Sequence, residues 1–263
     1  MLVTTPSHGE HLGYAQAKLR SEGTGKMITL ILVESALEVI PPALRSNQTI
    51  IKQARARGIK PSNFLLDVSI HHQLMQGLPD QARRGRPDII HITLLSVLGS
   101  PLCKEELMRV YVHTRDNYVV EVNPLTRLPR VYNRFTGLIS QLIEIGEVPP
   151  SSDNPLLRIS KETIVELINR LNPSSVTLFT RIGKQSTMEE TIKNLSKQNN
   201  PVIMIGGFPH GHVSEETARL AQSRVSIDKT MLETWVVASR AIYEFERAIG
   251  LPEKRIGKND KAI

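Results

Sequence analysis

The alternation of short apolar runs with helical patterns constrains the fold of this chain more than any other feature of its sequence. Apolar runs of strand length stand at Val176–Thr180, Val202–Ile205 and Arg224–Ile227, and helical patterns lie between and after them. Nearly continuous apolar strands that alternate with helices are typical of a parallel sheet buried on both faces. We therefore expect an α/β fold with such a sheet, which starts upstream at the run Met27–Val33.

The periodicity of the remaining segments predicts the helices that cover this sheet. We expect helices over 48–56, 87–98, 134–145, 160–171, 188–196, 215–223 and 232–249. Two further elements are a strand over Asn63–Val68 and a hairpin that joins Met108–His113 to Tyr118–Val122. All of them belong to one domain over residues 26–250, which a turn-rich segment at 149–155 interrupts.

The composition excludes several classes of protein. Because Cys103 is the only cysteine, a disulfide framework and a cysteine-based zinc site are excluded. No apolar run approaches the roughly 18 residues of a membrane span. The polar segment 1–25 lacks the apolar stretch of a secretory signal. We therefore expect a soluble cytoplasmic protein (nucleolar if its source is eukaryotic), with a mobile extension over 1–25 and a flexible polar tail over 251–263.

Arginines concentrate part of the positive charge in two segments. The net charge is +7, from 33 Lys and Arg against 26 Asp and Glu, and favours an acidic partner such as nucleic acid. The segments RRGRPD and RLPRVYNRF contain no lysine and hold Arg83, Arg84, Arg86, Arg127, Arg130 and Arg134. Arginine suits bidentate contacts with phosphate, and cations before a helix N-terminus oppose its dipole. The pattern therefore predicts a surface that contacts a phosphate backbone.

A carboxylate and a glycine loop complete the candidate sites. Asp88 is placed either to hold the guanidinium of Arg86 or to serve as an ordinary first-turn helix acid. The loop Gly206–Gly211 follows an apolar strand at its carboxyl end, where open α/β sheets bind ligands. The loop matches neither a dinucleotide fingerprint nor a P-loop, so a ligand without phosphates fits better. The pairs His71-His72 and His210-x-His212 lack converging carboxylates, so we expect no metal site.

Four segments together carry a resemblance to a known family. They are RRGRPDIIHITLLSVLGSPLCKE, RVYVHTRDNYVVEVNPLTRLPRVYNRFTGL, MIGGFPHGHVSE and SIDKTMLETWVVASRAIYEFERAIG. They resemble the ribosome-biogenesis rRNA pseudouridine N1-methyltransferases of the SPOUT (α/β-knot) superfamily, over roughly residues 27–250. The resemblance implies a deep C-terminal trefoil knot that binds S-adenosyl-L-methionine, and a homodimer. It also implies methylation of N1 of a pseudouridine in a small-subunit rRNA hairpin, with ribosomal assembly proteins as further partners and no membrane.

The resemblance also implies roles for particular residues. Contacts with the rRNA would fall on Arg86, Arg127, Arg130 and Arg134, and Asp88 would hold Arg86. Contacts with the methyl donor would fall on Leu178, Gly206, Gly211, His212, Val213, Val225, Ser226, Ile227, Met231 and Leu232. The family often has Pro where Met231 stands and Tyr where Asp228 stands, so backbone groups would supply the donor contacts there.

The catalytic base and two alternative functions stay open at this point. No residue stands out as the base that removes the N1 proton, so we expect positioning to supply most of the catalysis. One alternative is an RNA-binding assembly factor of the small subunit whose main role does not need catalysis. The other is a related SPOUT enzyme that acts on tRNA. Because aromatic residues make up only 4% of the chain, phosphate contact and shape should dominate RNA recognition over base stacking.

Overall fold

One mixed sheet of eight strands organises the protein in a computed structural model, which describes residues 26–257. In chain order the strands are β1 (Ile28–Ser35), β2 (Met108–Thr114), β3 (Tyr118–Val122), β4 (Glu147–Val148), β5 (Leu157–Lys161), β6 (Ser175–Gln185), β7 (Pro201–Gly206) and β8 (Ser223–Ser226). They stand in the order β4-β5-β3-β2-β1-β7-β6-β8. Five neighbouring strands of this order, β2-β1-β7-β6-β8, are mutually parallel. The other three, β3, β5 and β4, extend the sheet by antiparallel pairing.

Helices cover both faces of this sheet. In chain order the α-helices are α1 (Gln48–Ala56), α2 (Val68–His71), α3 (Pro87–Gly99), α4 (Pro101–Lys104), α5 (Tyr132–Ile145), α6 (Ile164–Leu171), α7 (Met188–Leu195), α8 (Glu215–Arg219), α9 (Thr234–Ala248) and α10 (Leu251–Gly257). Short 3-10 helices lie at Pro42–Leu44, His72–Met75 and Gln81–Arg83. The element pattern therefore confirms the predicted α/β class and the predicted hairpin of β2 and β3, to which β5 and β4 add antiparallel strands that the sequence did not indicate.

The central strand β1 shows why its sequence is apolar throughout. Leu30 and Leu32 belong to the larger core, on the face covered by α3, α5 and α9. Ile31 and Val33 belong to a second core on the opposite face, with residues of α6 and α8. Because successive side chains of a strand point to opposite faces, a strand covered on both faces needs apolar residues at every position.

The structure corrects the prediction of a helix over residues 160–171. Leu157–Lys161 is strand β5, which pairs antiparallel with β3. The helix starts only after Thr163, whose hydroxyl accepts a hydrogen bond from the backbone N–H of Glu166. The carboxylate of Glu166 in turn accepts one from the backbone N–H of Thr163. This reciprocal capping box fixes the start of α6, whereas Ser160 has no acidic partner three residues later.

The predicted strand over Asn63–Val68 is wrong. The segment contributes one isolated bridge, between Leu65 and Val39. Phe64 and Leu66 are buried in a separate small core beside α1. An apolar run indicates burial but does not show that a ladder of hydrogen bonds accompanies it.

The turn-rich segment at 149–155 and the first part of the predicted tail both belong to the folded structure. The turn-rich segment at 149–155 joins the antiparallel strands β4 and β5 and therefore lies within the sheet. Residues 251–257, assigned to a flexible tail, form α10, and Leu251 is buried against the larger core. The extension predicted over 1–25 and the remainder of the tail, 258–263, lie outside the described residues.

Candidate functional site

The glycine loop is joined to the end of β1 by backbone hydrogen bonds. The N–H of Gly207 donates to the carbonyl oxygen of Val33 at 2.9 Å, and the N–H of Ala36 donates to that of Gly207 at 2.8 Å. A Cβ atom on Gly207 would stand 2.3 Å from Oγ of Ser35 and 2.9 Å from Cδ1 of Ile90. Only glycine therefore lets the loop pass this closely over β1 and α3.

The loop forms one wall of a cleft at the carboxyl edge of β6, β7 and β8, where an open α/β sheet binds ligands. The cleft holds about 870 Å³ of empty space, part of it open to solvent. Among the donor residues predicted from the resemblance, those that line it are Gly206, Gly211, His212, Val213, Val225, Ser226, Ile227, Met231 and Leu232. Leu178 does not line it, because its side chain is buried in the core between β6 and the helices α6 and α8.

Other residues that line the cleft were not among the predicted donor residues. Phe179, Thr180 and Arg181 directly follow Leu178, so the strand-end rule that singled out the glycine loop would have found them. Thr234, the first residue of α9, donates from its hydroxyl to the carbonyl oxygen of Gly206 at 2.8 Å. This bond ties the start of α9 to the glycine loop.

Asp228 shapes the rim of the cleft. Its carboxylate accepts hydrogen bonds from the backbone N–H of Thr230 at 2.9 Å and from the hydroxyl of Thr230 at 2.8 Å. These bonds hold the pKa of Asp228 below its ordinary value. The ionised side chain thereby closes the turn that precedes Met231 and Leu232.

Glu34, at the end of β1, anchors the far end of the glycine loop. Its carboxylate accepts hydrogen bonds from the backbone N–H of Ser214 at 2.8 Å and from the hydroxyls of Ser214 and Thr217, both at 2.6 Å. Arg83 adds a fourth at 2.7 Å. Burial alone would raise the pKa of Glu34, but these hydrogen bonds outweigh it and lower the pKa. The guanidinium of Arg83 also lies 3.9 Å from the ring centroid of Phe208, within the loop.

Arg84 is engaged in the interior. Its guanidinium binds the carboxylate of Glu38, with Nη2 2.5 Å and Nε 3.1 Å from Oε2. Glu38 is 4% exposed, and the backbone N–H of Gly85 donates to the same carboxylate. The sequence pattern groups Arg83 and Arg84 with the phosphate-facing arginines, whereas in the structure both pair with carboxylates at or just after the end of β1.

Arg86 and Asp88 form a two-pronged ion pair at the start of α3. Nε and Nη2 of Arg86 lie 2.8 Å from Oδ1 and Oδ2 of Asp88. The hydrogen bonds with Asp88 raise the pKa of Arg86, and the charges of Glu233 and Asp67 favour the same protonated form. The backbone N–H of Arg86 donates to the carbonyl oxygen of Ala36 at 3.1 Å, and the N–H of Ala36 donates to Gly207, so the ion pair lies close to the glycine loop and its cleft.

The segment that carries Arg127, Arg130 and Arg134 is held firmly although its arginines are exposed. Nε2 of His91, on α3, lies 2.7 Å from the carbonyl oxygen of Pro129, and the His91 ring stacks on Phe135 at 4.3 Å between centroids. None of the three arginines has a carboxylate oxygen within 4.0 Å in residues 26–257. We call these three residues the arginine loop; its charges are free to meet an anion.

A buried hydrogen bond fixes the start of α5 next to the arginine loop. The hydroxyl of Tyr132 donates to Oδ2 of Asp67 at 2.5 Å. Burial raises the pKa of Tyr132, and the hydrogen bond with Asp67 adds to this effect, so the phenol stays protonated. Asp67 also caps α2 by accepting from the backbone N–H of Ser69.

The residues that the structure describes were also considered as a metal site, a membrane-spanning helix and a cysteine nucleophile. There, no group of three or more His, Cys, Asp or Glu side chains is arranged to hold a metal ion. No helix over residues 26–257 is long and apolar enough to cross a bilayer. Burial raises the pKa of the Cys103 thiol to about 12, so a thiolate nucleophile is absent at neutral pH.

Comparison with known proteins gives one family, two relatives and one solved structure that this chain resembles. A family model described as EMG1/NEP1 methyltransferase matches residues 30–246. The small-subunit rRNA methyltransferase Nep1 of Staphylothermus marinus is 45% identical over 215 residues, which cover 82% of this chain and 93% of that protein. The Thermococcus kodakarensis Nep1 is 40% identical over 225 residues, 86% of this chain and 100% of that protein. The crystal structure of Archaeoglobus fulgidus Nep1 bound to S-adenosylhomocysteine has a TM-score of 0.74 and 34% identity, and the match covers 86% of this chain and all of that one.

Proposed function

Because this chain belongs to the EMG1/NEP1 methyltransferase family, we propose that it transfers the methyl group of S-adenosyl-L-methionine to N1 of a pseudouridine in small-subunit rRNA. The observation that carries the proposal is the position of the cleft. It lies beside the Arg86–Asp88 ion pair, and His91 connects the same helix, α3, to the exposed arginine loop. Helix α3 therefore connects the proposed donor site with the proposed anion-binding surface.

The cleft suits the chemistry of the donor. The donor carries no phosphate. Among residues 26–257, Arg181 is the one Arg or Lys that lines the cleft, together with apolar walls such as Ile205 and Val225. The positive φ of 88° at Gly211 lets the loop turn with its backbone facing the cleft. When bound, the donor supplies an electrophilic methyl group on a sulfonium. The Archaeoglobus fulgidus relative was crystallised with the demethylated form of this donor.

The side chains of this protein would act mainly by positioning. Methyl transfer needs N1 within about 3–3.5 Å of the methyl carbon and in line with the bond that breaks. N1 must also lose its proton. Asp88 gives both carboxylate oxygens to the guanidinium of Arg86, so it orients this arginine and does not accept the proton. We assign the loss of the proton to solvent at the open side of the cleft.

The arginine loop would hold the rRNA hairpin while the target base enters the cleft. Exposed guanidinium groups without carboxylate partners meet phosphate oxygens at little desolvation cost. A base inside a stacked helix is out of reach of the donor, so the pseudouridine must leave its stack. Arg86, between the arginine loop and Glu233, is placed to contact the backbone next to the extruded base.

Three features implied by the resemblance belong to this proposal: the trefoil knot, the homodimer and a cytoplasmic place in ribosome assembly. Gel filtration with light scattering tests the homodimer, and a monomer at micromolar concentration would contradict it. Loss of small-subunit assembly in cells that carry a donor-binding variant tests whether methylation matters. Normal assembly with such a variant would favour the role of an assembly factor that does not need catalysis.

The decisive experiment compares two hairpins that differ in one base. With radiolabelled S-adenosyl-L-methionine, the pseudouridine hairpin should accept label and the matching uridine hairpin should not. Equal labelling of both would contradict the pseudouridine assignment, and labelling of a competing tRNA in preference to the hairpin would contradict the rRNA assignment. Calorimetry with S-adenosylhomocysteine checks the donor site separately, because it needs no RNA.

A further inference from the structure

The segment between Glu38 and Asp67 is basic along its whole length. It contains no acidic residue, and its charged residues are Arg45, Lys52, Arg55, Arg57 and Lys60. Helix α1 lies in its middle and buries Ile50 and Ala54 against the small core. The opposite side of this helix is therefore left to polar and charged residues.

Some of these cations have a structural partner and others have none. Nε of Arg45 donates to the carbonyl oxygen of Ile40 at 3.0 Å and is half-buried. Nζ of Lys60 lies 2.7 Å from Oε1 of Glu144, but its side chain is 72% exposed. Lys52 and Arg55 are exposed, and no carboxylate oxygen of residues 26–257 lies within 4.0 Å of either.

Helix stability does not explain this charge. A cation in the last turn, such as Arg55, is favoured by the helix dipole. Lys52 stands in the middle of α1, three residues before Arg55, and like charges at this spacing repel each other. Without an acidic residue on the helix, nothing within α1 compensates this repulsion. The charge is consistent with selection for an acidic partner outside the chain.

Hydrogen bonds place α1 beside the start of α5, next to the arginine loop. Oε1 of Gln53 lies 3.1 Å from Nε2 of His71, and the backbone N–H of Asp67 donates to Nδ1 of the same ring at 3.0 Å. Asp67 in turn accepts a hydrogen bond from the hydroxyl of Tyr132, the first residue of α5. The ion pair of Lys60 with Glu144 joins the other end of α5. The basic helix and the arginine loop are thus carried on neighbouring elements.

We propose that Lys52, Arg55, Arg57 and Lys60 form a second RNA contact, the helix α1 surface, which binds phosphates of the stem next to the loop that the arginine loop holds. This inference rests on the proposed function, since it takes the substrate to be a hairpin with a stem. The ligand is a duplex phosphate backbone, because Lys52 and Arg55 on α1 and Arg57 and Lys60 just after it are all exposed, whereas the ring next to Arg57, Phe64, is buried and cannot stack on a base. The helix α1 surface contributes affinity but no contact with the reacting base.

Salt dependence of binding measures this contact directly. Each phosphate contact on a duplex releases counterions and adds about 0.9 to the slope of log affinity against log salt concentration. We would measure fluorescence anisotropy of two labelled hairpins with the same pseudouridine loop. One has a short stem and the other a stem longer by about one helical turn. The test variant is Lys52→Ala with Arg55→Ala, since alanine keeps the helix stable.

The matched control removes the same charge elsewhere. Lys193→Ala with Lys197→Ala takes two exposed lysines from the region of α7. For the long hairpin, the test variant should have a slope smaller by about 1.8 than the wild type and the control. Between 50 and 200 mM salt, wild-type affinity should therefore fall about tenfold further than that of the variant. Methyl transfer to the short hairpin should be the same in all three proteins.

Two results would overturn the proposal. One is a wild-type slope that is equal for the long and short hairpins. The other is an equal loss of slope in the test variant and the control, which would indicate unspecific charge attraction. Absence of methyl transfer to either hairpin in the wild type would instead count against the proposed function, so the two failures are distinguishable.

Discussion

The two arginine segments look alike in sequence and do opposite things in the structure. Arg83 and Arg84, in the first segment, each bind a carboxylate at the end of β1 or just beyond it. Arg127, Arg130 and Arg134, in the second, are exposed without a carboxylate partner in residues 26–257. Arg86 stands between the two cases, because it pairs with Asp88 and is still half-exposed.

This difference separates arginines that hold the fold together from arginines that can attract a phosphate. A guanidinium that is paired inside the protein fixes the backbone around it, and its loss takes the nearest cation from a buried carboxylate. A guanidinium that is exposed on a rigid segment costs the fold little and remains available for phosphate. Both kinds have a place here, since Arg83 packs on Phe208 of the glycine loop and Arg84 binds the buried Glu38, while the free arginines are available for RNA.

The largest effect expected from this difference between paired and free arginines concerns Arg84. Arg84→Met should lower the free energy of unfolding by about 3–5 kcal/mol. Buried Glu38 would lose its nearest cation and keep only the N–H of Gly85 and the guanidinium of Arg115, whose Nε lies 4.0 Å away. Urea denaturation measures the change. Arg130→Met is the matched control and should change stability by less than about 0.5 kcal/mol. If the two substitutions cost the same, the division between paired and free arginines is wrong.

The next effect concerns Glu34, which connects Arg83 to the glycine loop. Glu34→Gln removes the charge that Ser214, Thr217 and Arg83 share. Loss of about 1.5 kcal/mol from a charged hydrogen bond corresponds to roughly tenfold weaker donor binding. Calorimetry with S-adenosylhomocysteine should show this loss while hairpin binding stays the same. A parallel loss of RNA affinity would mean that the two sites are not separate.

The pH dependence of stability gives a smaller effect at the same residue. The pKa of Glu34 is lower in the folded protein than its ordinary value of 4.5. Its contribution to stability is therefore complete above pH 4.5 and is lost as the pH falls through the folded pKa. Denaturation curves between pH 7 and pH 3 should show a smaller acid-induced loss in Glu34→Gln than in the wild type. Identical curves would show that the carboxylate is not stabilised by folding.

The smallest effect on the fold concerns Arg130. Arg130→Ala should leave stability and donor binding unchanged and reduce the salt slope of hairpin binding by about 0.7 to 0.9. Anisotropy titrations at several salt concentrations measure this slope. Arg130→Lys keeps the charge and should restore most of it. A stability loss comparable to that of Arg84→Met would place Arg130 among the structural arginines.

The sequence by itself determined the local elements and the chemical character of the sites. Continuous apolar runs located β1 and β7, because a strand covered on both faces needs apolar residues throughout, and periodicity located α5, because one face of that helix meets the core. The glycine loop stood out because a backbone that must pass close to its neighbours excludes larger side chains. The motifs identified the family and, with it, candidate donor residues, of which all but Leu178 line one cleft in the structure.

Only the tertiary structure decided which charges are free. Glu34 and Glu38 lie 49 and 46 residues before the arginines that they bind, so no local pattern announces these pairs. In the same way, the apolar pattern around Leu178 could not show that this side chain points into the core and Arg181 into the cleft. The physical reason is common to both cases. Periodicity reports whether a residue is buried, whereas its partner is set by distant segments that meet only in the folded chain.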